Sequence, residues 1–248
     1  MNRQYIIKVS IIIPTFNRID LLKETLVSVK SQTINDWECL IIDDGSTDQT
    51  DAIIETIIKD DIRFKYFKRP ENYPKGAGSC RNYGFELSQG EFIQWLDDDD
   101  LLSANKLELQ VNVLEKLNDS KILTTCDWDL FWTNKNFIRN SIFDSTSNLN
   151  ANNYFQELRK KQTFLPIHTF LIHRDLIYNS GNWNTDLTLN DDAEFMTRII
   201  IKCKKLVNTK ECFVLYRSYE NERISNNKDI QSLKSFLLSL ELMNNHLK

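Results

Sequence analysis

Five cysteines, at positions 39, 80, 126, 203 and 212, are an odd number with no C-x-x-C spacing. They argue against a disulfide framework and a zinc site, and for a reducing compartment. No apolar run has the length of a membrane span, and the run Val9 to Ile13 is short and stopped by Pro14. The opening residues also lack the apolar core of a signal peptide, so a cytoplasmic protein is expected. No basic block stands out and the formal net charge is -4, which makes nucleic acid a poor candidate partner. Internal repeats and linker-like stretches are absent as well. Glycine is scarce: five of the six (45, 76, 78, 84 and 90) fall in the first half.

What the chain does have is 41% hydrophobic residues over 248 positions, enough for a substantial core. Val9–Ile13 reads as a buried β-branched strand, and Ile19, Leu22, Leu26 and Val29 then recur at helical spacing. Trp37–Ile42 is a second strand, stopped by Asp43-Asp44-Gly45. Ser46 and Gln49 have capping-box spacing for a helix whose inner face includes Ile53, Ile54, Ile57 and Ile58. Phe64–Phe67 is a short strand, Arg81–Leu87 lies in a helix ended near Gly90, and Glu91–Leu96 is a further strand before a helix over Ser103–Leu117. Strands alternating with helices in this way imply βαβ units and a parallel sheet. Gly84 in its helix predicts close approach to a neighbouring element. Beyond about residue 120 the pattern changes, with strands over 121–132, 168–172 and 212–216 and a helix over 191–201. Leu233, Phe236, Leu237, Leu240 and Leu247 predict a C-terminal amphipathic helix packed by that face on the body.

The densest chemistry is Trp95-Leu96-Asp97-Asp98-Asp99-Asp100-Leu101-Leu102, four adjacent carboxylates at the end of an apolar strand. Such charges repel, so they stay hydrated or recruit a hard cation. A lone acidic run is more often a solvated loop. A second acidic strand end at Asp43-Asp44 shifts the balance toward a site where a parallel sheet opens its crevice.

Pro14-Thr15-Phe16-Asn17-Arg18 after the first strand, Asp43-Asp44-Gly45-Ser46-Thr47-Asp48 after the second, Arg81-Asn82-x-Gly84 and the Asp97 run together resemble family-2 glycosyltransferases, in order and spacing. Asp191-Asp192, with Arg198 six residues after Asp192, fits the same pattern, and the resemblance covers roughly residues 8 to 225. It implies a GT-A type α/β fold with a Rossmann-like, mostly parallel sheet. Residues 1–120 would form the nucleotide-sugar-binding region, 121–225 the acceptor and base region, and 226–248 the terminal helix. The activity implied is inverting transfer of a sugar from a nucleotide sugar, a UDP-sugar by preference, to a hydroxyl acceptor in bacterial surface glycan synthesis. Donor-binding residues would be Thr15, Phe16, Asp44, Arg81 and Asp98, with Asp44 receiving the uracil N3–H and Arg81 at the same end of the nucleotide. Asp97 and Asp99 would hold Mg²⁺ or Mn²⁺ as the Asp-x-Asp element, with Asp98 and Asp100 close beside them. Asp192 would be the catalytic base, its pKa raised by Asp191.

The resemblance is imperfect at one place: Tyr216-Arg217-Ser218-Tyr219 has Tyr219 where many members carry a metal-reaching His. Arg217 is a candidate diphosphate contact, though a surface role is the simpler reading. His168 and His173 read as structural strand residues. Of Trp128, Trp132 and Trp183, at most one is expected to meet acceptor, since Trp is first a core residue. A lipid-linked acceptor would bring the protein to the inner face of a membrane. A nucleotidyltransferase is the alternative enzyme class, but it calls for a Gly-rich basic loop after the first strand, which Pro14–Arg18 is not. A degenerate nucleotide-sugar-binding module is the non-enzymatic alternative.

Overall fold

The computed structural model describes residues 7–131, 138–140, 148–218 and 229–248. Its centre is the β-branched segment β1 (Val9–Thr15), buried along its whole length. A strand buried on both faces needs neighbours on both edges and helices above and below. On one side β2 (Trp37–Asp43) and β3 (Phe64–Lys68) add in parallel, and on the other β4 (Phe92–Trp95) does the same. The helices between them, α1 (Ile19–Lys30), α2 (Thr50–Asp60) and α3 (Ala77–Leu87), are the crossovers, and α1 buries Leu22, Leu26 and Val29 as the spacing predicts. This half is the parallel βαβ unit read from the sequence.

The second half is mixed. After the two-residue β5 (Leu101–Leu102) and α4 (Lys106–Leu117) come β6 (Ile122–Phe131), β7 (Ile138–Asn140), β8 (Asn148–Leu149) and α5 (Ala151–Lys161). Then follow β9 (Leu171–His173), α6 (Arg174–Ser180), α7 (Asp191–Lys202), β10 (Lys205–Arg217) and α8 (Ile230–His246). Among the described residues one ten-stranded sheet results, with the path β3-β2-β1-β4-β9-β6-β10-β5 and with β7 paired to β6 and β8 to β10 off it. β9 runs antiparallel to both β4 and β6, while β6 and β10 pair in parallel with a bulge between Thr209 and Phe213. The sheet is therefore parallel on the β3–β4 side and mixed beyond β9.

Four local expectations need correction. Ser46 does not cap α2: its hydroxyl donates to the Asp43 carboxylate at 2.5 Å, and Asp48 accepts from the Thr50 amide at 3.0 Å instead. Gly90 does not end α3, which stops at Leu87. A Cβ on Gly90 would lie 2.4 Å from the Ser10 nitrogen, so the residue is there to let two backbones touch. The segment from His168 opens as a single 3-10 turn, Ile167–Thr169, before β9 begins. In α8 the apolar face points outward, with Leu233 52% and Leu237 64% exposed, while Ser235 and Ser239 are buried. Gly84 meets its expectation: a Cβ there would come within 2.5 Å of Ile12 Cγ2.

Candidate active site

The register of the parallel half assembles the site. Thr15 is level with Asp43 across the β1–β2 pair, and Ile12 is level with Trp95 across the β1–β4 pair. The chain ends of β1, β2 and β4 therefore open on one side, with Asp44 following β2 and the Asp97 run following β4. This is the crevice in which parallel α/β sheets bind ligands.

At the β1–β2 end, Asp44 is buried, its amide donates to the Thr15 carbonyl at 2.9 Å, and its carboxylate accepts from the Gly76 amide at 3.0 Å and from Arg69 Nε. Asp43 is turned inward, accepting from Tyr66 Oη at 2.7 Å and from Ser46. Phe16 is 40% exposed, and Lys75 Nζ stands 4.1 Å from its ring centroid. A half-exposed aromatic face beside an anchored carboxylate can stack and hydrogen-bond a nucleobase.

Each carboxylate of the Asp97–Asp100 run has a partner; at Asp97 that partner outweighs burial, while Asp98 and Asp100 hold their protons more tightly than usual. Asp97 Oδ1 accepts from Arg81 Nη2 at 2.8 Å. Burial pushes its carboxyl up, but Arg81, with lesser help from His168, outweighs this and holds it below the usual range. Asp98 accepts from Thr15 Oγ1 at 2.8 Å, and burial, with Asp99 beside it, pushes its carboxyl up to about 7. Arg18 Nη1 lies 3.2 Å from Asp99 Oδ2 and 3.5 Å from Asp98 Oδ1. Asp100 is 1% exposed and accepts from the Arg217 amide at 2.6 Å, and its carboxyl is driven well up, by burial first and Asp99 second.

Among the described residues, the His, Cys, Asp and Glu side chains that converge tightly enough for a metal are Asp97, Asp100 and His168, with ligand atoms all within 4.8 Å of one another. Asp100 Oδ2 and both ring nitrogens of His168 are buried without a hydrogen bond. Two carboxylates and an imidazole suit a divalent ion of the Mg²⁺ or Mn²⁺ class, so the residues fit. Asp99, expected as the second ligand, is turned toward Arg18 instead. Nothing in the sequence spacing singled out His168. The 3-10 turn after Pro166 buries it completely, and the Tyr216 ring stacks on it at 5.7 Å and 16°.

Arg81 is the pivot. The resemblance placed it at the nucleobase end, but its guanidinium lies between the two acidic clusters, donating to Asp97 at 2.8 Å and to Asp191 Oδ2 at 3.0 Å. It also covers the Trp183 ring at 4.3 Å. Asn82 locks the same neighbourhood by exchanging two hydrogen bonds, 2.8 and 3.0 Å, with the Trp183 backbone. Asp192 follows on the first turn of α7, half-buried, with its Oδ1 accepting from the Ala193 amide at 2.8 Å. Burial, more than Asp191, pushes its carboxyl up to about 6. That is a suitable strength for a base near neutral pH.

Other candidates fall elsewhere. Arg217 is no surface residue: it is buried, donating through Nε to the Asp99 carbonyl at 2.8 Å and through Nη2 to Glu24 at 2.6 Å, so it shapes the Asp loop. Trp128 and Trp183 are both core residues, Trp183 stacked on Phe195 at 4.2 Å and Trp128 packed on Phe164. Arg198 braces α7 by donating to Glu194 and to the carbonyls of Ser180, Gly181 and Asn182. Trp132 and Tyr219 lie outside the described residues. No helix of the described residues is long and apolar enough to cross a membrane.

Comparison with known proteins bears on the fold and the family. A beta-1,3-glucosyltransferase of Campylobacter jejuni named for the substrate GalNAc(5)-diNAcBac-PP-undecaprenol is 38% identical over 112 residues, 45% of this chain and 35% of that protein. The matched stretch is thus about a third of the relative's length. Residues 1–349 of TarS from S. aureus, solved with UDP-GlcNAc, superpose with a TM-score of 0.79 at 20% identity, over 97% of this chain and 66% of that one. GalNAc-T7, solved with UDP, GalNAc and Mn²⁺, gives a TM-score of 0.72 at 18% identity, over 96% of this chain and 48% of that one. These likenesses establish the GT-A fold. The model of glycosyl transferase family 2 matches residues 10–181, and the chain belongs to that family.

Proposed function

We propose that this chain is an inverting glycosyltransferase that moves a sugar from a UDP-sugar to a hydroxyl of a lipid-linked bacterial glycan. The observation that carries the reading is the Arg81 bridge, which ties the Asp97 loop to the start of α7 through one buried guanidinium. A donor diphosphate and an attacking hydroxyl need such groups on adjacent walls of one cleft. The family match stops at residue 181, so the role of Asp192 rests on this geometry.

Asp44 and Phe16 would receive the base, as a carboxylate acceptor and an aromatic face lie there. Asp97, Asp100 and His168, with Asp99 close by, would hold a divalent ion, which when bound neutralises charge on a departing diphosphate. Asp192 would accept the proton of the acceptor hydroxyl as its oxygen attacks the anomeric carbon from the face opposite the leaving UDP. The sugar–phosphate bond breaks as the new glycosidic bond forms, and configuration inverts. Arg81 occupies Asp191 with a charged hydrogen bond, leaving Asp192 as the carboxylate with proton affinity to spare.

Support for the donor and acceptor comes from UDP-GlcNAc in TarS, from Mn²⁺ with UDP in GalNAc-T7 and from the undecaprenol-linked substrate of the Campylobacter enzyme. The exposed leucines of α8 would let the protein rest on the membrane carrying such an acceptor. The direct test is UDP release from UDP-glucose with a diphospholipid-linked GlcNAc acceptor, and product stereochemistry by NMR. Asp192→Asn should lose transfer by about 10²–10⁴-fold. Undiminished transfer would remove Asp192 from the mechanism, and a retained anomeric configuration would overturn the single-displacement route.

A further inference from the structure

Asn190 opens α7 in the left-handed conformation, φ 60° and ψ 23°, and its side chain makes no capping bond to the helix it begins. An Asn at that position ordinarily accepts from the second or third helical amide. Here Nδ2 reaches away and donates to Ser239 Oγ of α8 at 2.8 Å. One turn earlier on α8, Ser235 Oγ accepts from the amides of Thr188 and Leu189, at 2.8 and 3.1 Å. Every residue of the turn Thr188–Asn190 is therefore tied to one of two buried hydroxyls. Farther along, His246 Nε2 meets Glu194 Oε1 at 2.8 Å, so α8 follows α7 past its first turn.

The pattern of burial is informative. A helix that hides Ser235 and Ser239 while leaving Leu233, Leu237 and Leu240 in solvent gains little from apolar contact with the body. Its buried face is spent on polar contacts to a single turn. That turn leads without interruption into Asp191 and Asp192. A residue in the αL region is costly for any side chain but glycine, and persists where its surroundings hold it.

We propose that Ser235 and Ser239 are positioning residues for Asp192, acting through the Thr188–Asn190 turn to set the direction in which α7 presents its carboxylates. The inference rests on the reading of Asp192 as the base. Ser235→Thr and Ser235→Val compare a hydroxyl with a methyl at equal volume. Amide hydrogen exchange reads the latch directly: in Ser235→Val the amides of Thr188, Leu189 and Ala193 should exchange about ten-fold faster or more, and in Ser235→Thr remain protected. Ala193 matters most, because its amide is bonded to the Asp192 carboxylate. In UDP release from UDP-glucose, Ser235→Val should lower kcat about ten-fold or more with donor KM and UDP affinity unchanged, while Ser235→Thr stays within about three-fold of the parent.

Equal exchange at Ala193 in the two variants, or a loss carried by donor KM, would overturn the proposal. Should Ser235→Val prove unfolded by its melting curve, Ser239→Ala removes a hydroxyl without adding volume and must give the same exchange and kcat pattern. Asp192→Asn run alongside separates the two readings. If it retains full transfer, the base assignment fails; if it loses transfer while Ser239→Ala keeps full kcat and an unchanged Ala193 amide, the latch alone fails.

Discussion

His168 Nδ1 lies 3.2 Å from Asp100 Oδ2, and both side chains are sealed from solvent. Burial drives the imidazole down to about 4, so it is neutral at pH 7, and pushes the carboxyl well up from its ordinary value. A divalent ion shared with Asp97 would favour the ionised form of that carboxylate. His168→Ala should weaken Mn²⁺ binding in the presence of UDP by about 10–100-fold, read by the EPR signal of free Mn²⁺. Unchanged Mn²⁺ affinity would exclude His168 from the metal site.

The Asp192 carboxyl, raised to about 6, gives linked activity and stability trends. As a base it must be ionised, so kcat should fall as pH drops through about 6. Stability runs the other way: the folded state binds the proton more tightly than the unfolded chain, so this group's contribution is full below about pH 4 and is lost as pH rises through 6. Metal-free Asp192→Asn should therefore be more stable than the parent at pH 7, by at most about 1–2 kcal/mol, and equal to it near pH 4. Denaturant midpoints at the two pH values check the sign.

Arg81→Lys keeps a charge but loses the fork that spans Asp97 and Asp191. A lysine can satisfy one carboxylate at a time, leaving the other half-buried without its partner. Transfer should fall by about 10²-fold or more, and thermal stability should drop as well. Parent-like kcat would mean the bridge is incidental.

Gly90→Ala should destabilise more than Gly84→Ala. At Gly84 the added carbon meets the side chain of Ile12, which can shift at a cost of about 1–3 kcal/mol. At Gly90 it meets the backbone of Ser10 and Val9 at 2.4 and 2.7 Å, and the β1–β4 pairing would have to open. Urea midpoints in reverse order would show the Gly90 contact to be soft.

Replacing Leu233 and Leu237 by serine should reduce cosedimentation with vesicles without lowering turnover of a water-soluble acceptor analogue. Their exposure leaves the core out of the comparison. Equal sedimentation of parent and variant would remove α8 from any membrane contact.

The parallel half was legible in the sequence because β-branched runs and helical spacing are local patterns that tertiary packing did not oppose. Position after a strand also marked Asp44 and the Asp97 run as lying at one sheet edge. α8 misled for a physical reason: its leucines repeat as a buried face would, but the hydroxyls of Ser235 and Ser239 had unpaired amides to satisfy on the neighbouring turn. A period of apolar residues shows that a face exists and cannot show which way it is turned.

The sequence by itself determined the element order of the parallel half, the acidic strand ends and the family, all carried by residues close together in the chain; β5, β7, β8, α5 and α6 emerged only in the structure. Only the tertiary structure decided the partners. His168 meets Asp100 across 68 positions and Arg81 meets Asp191 across 110, because the turn before the antiparallel β9 and the start of α7 bring them there. Such pairings depend on the cost of burying charge, which is settled only when the whole sheet has closed around it.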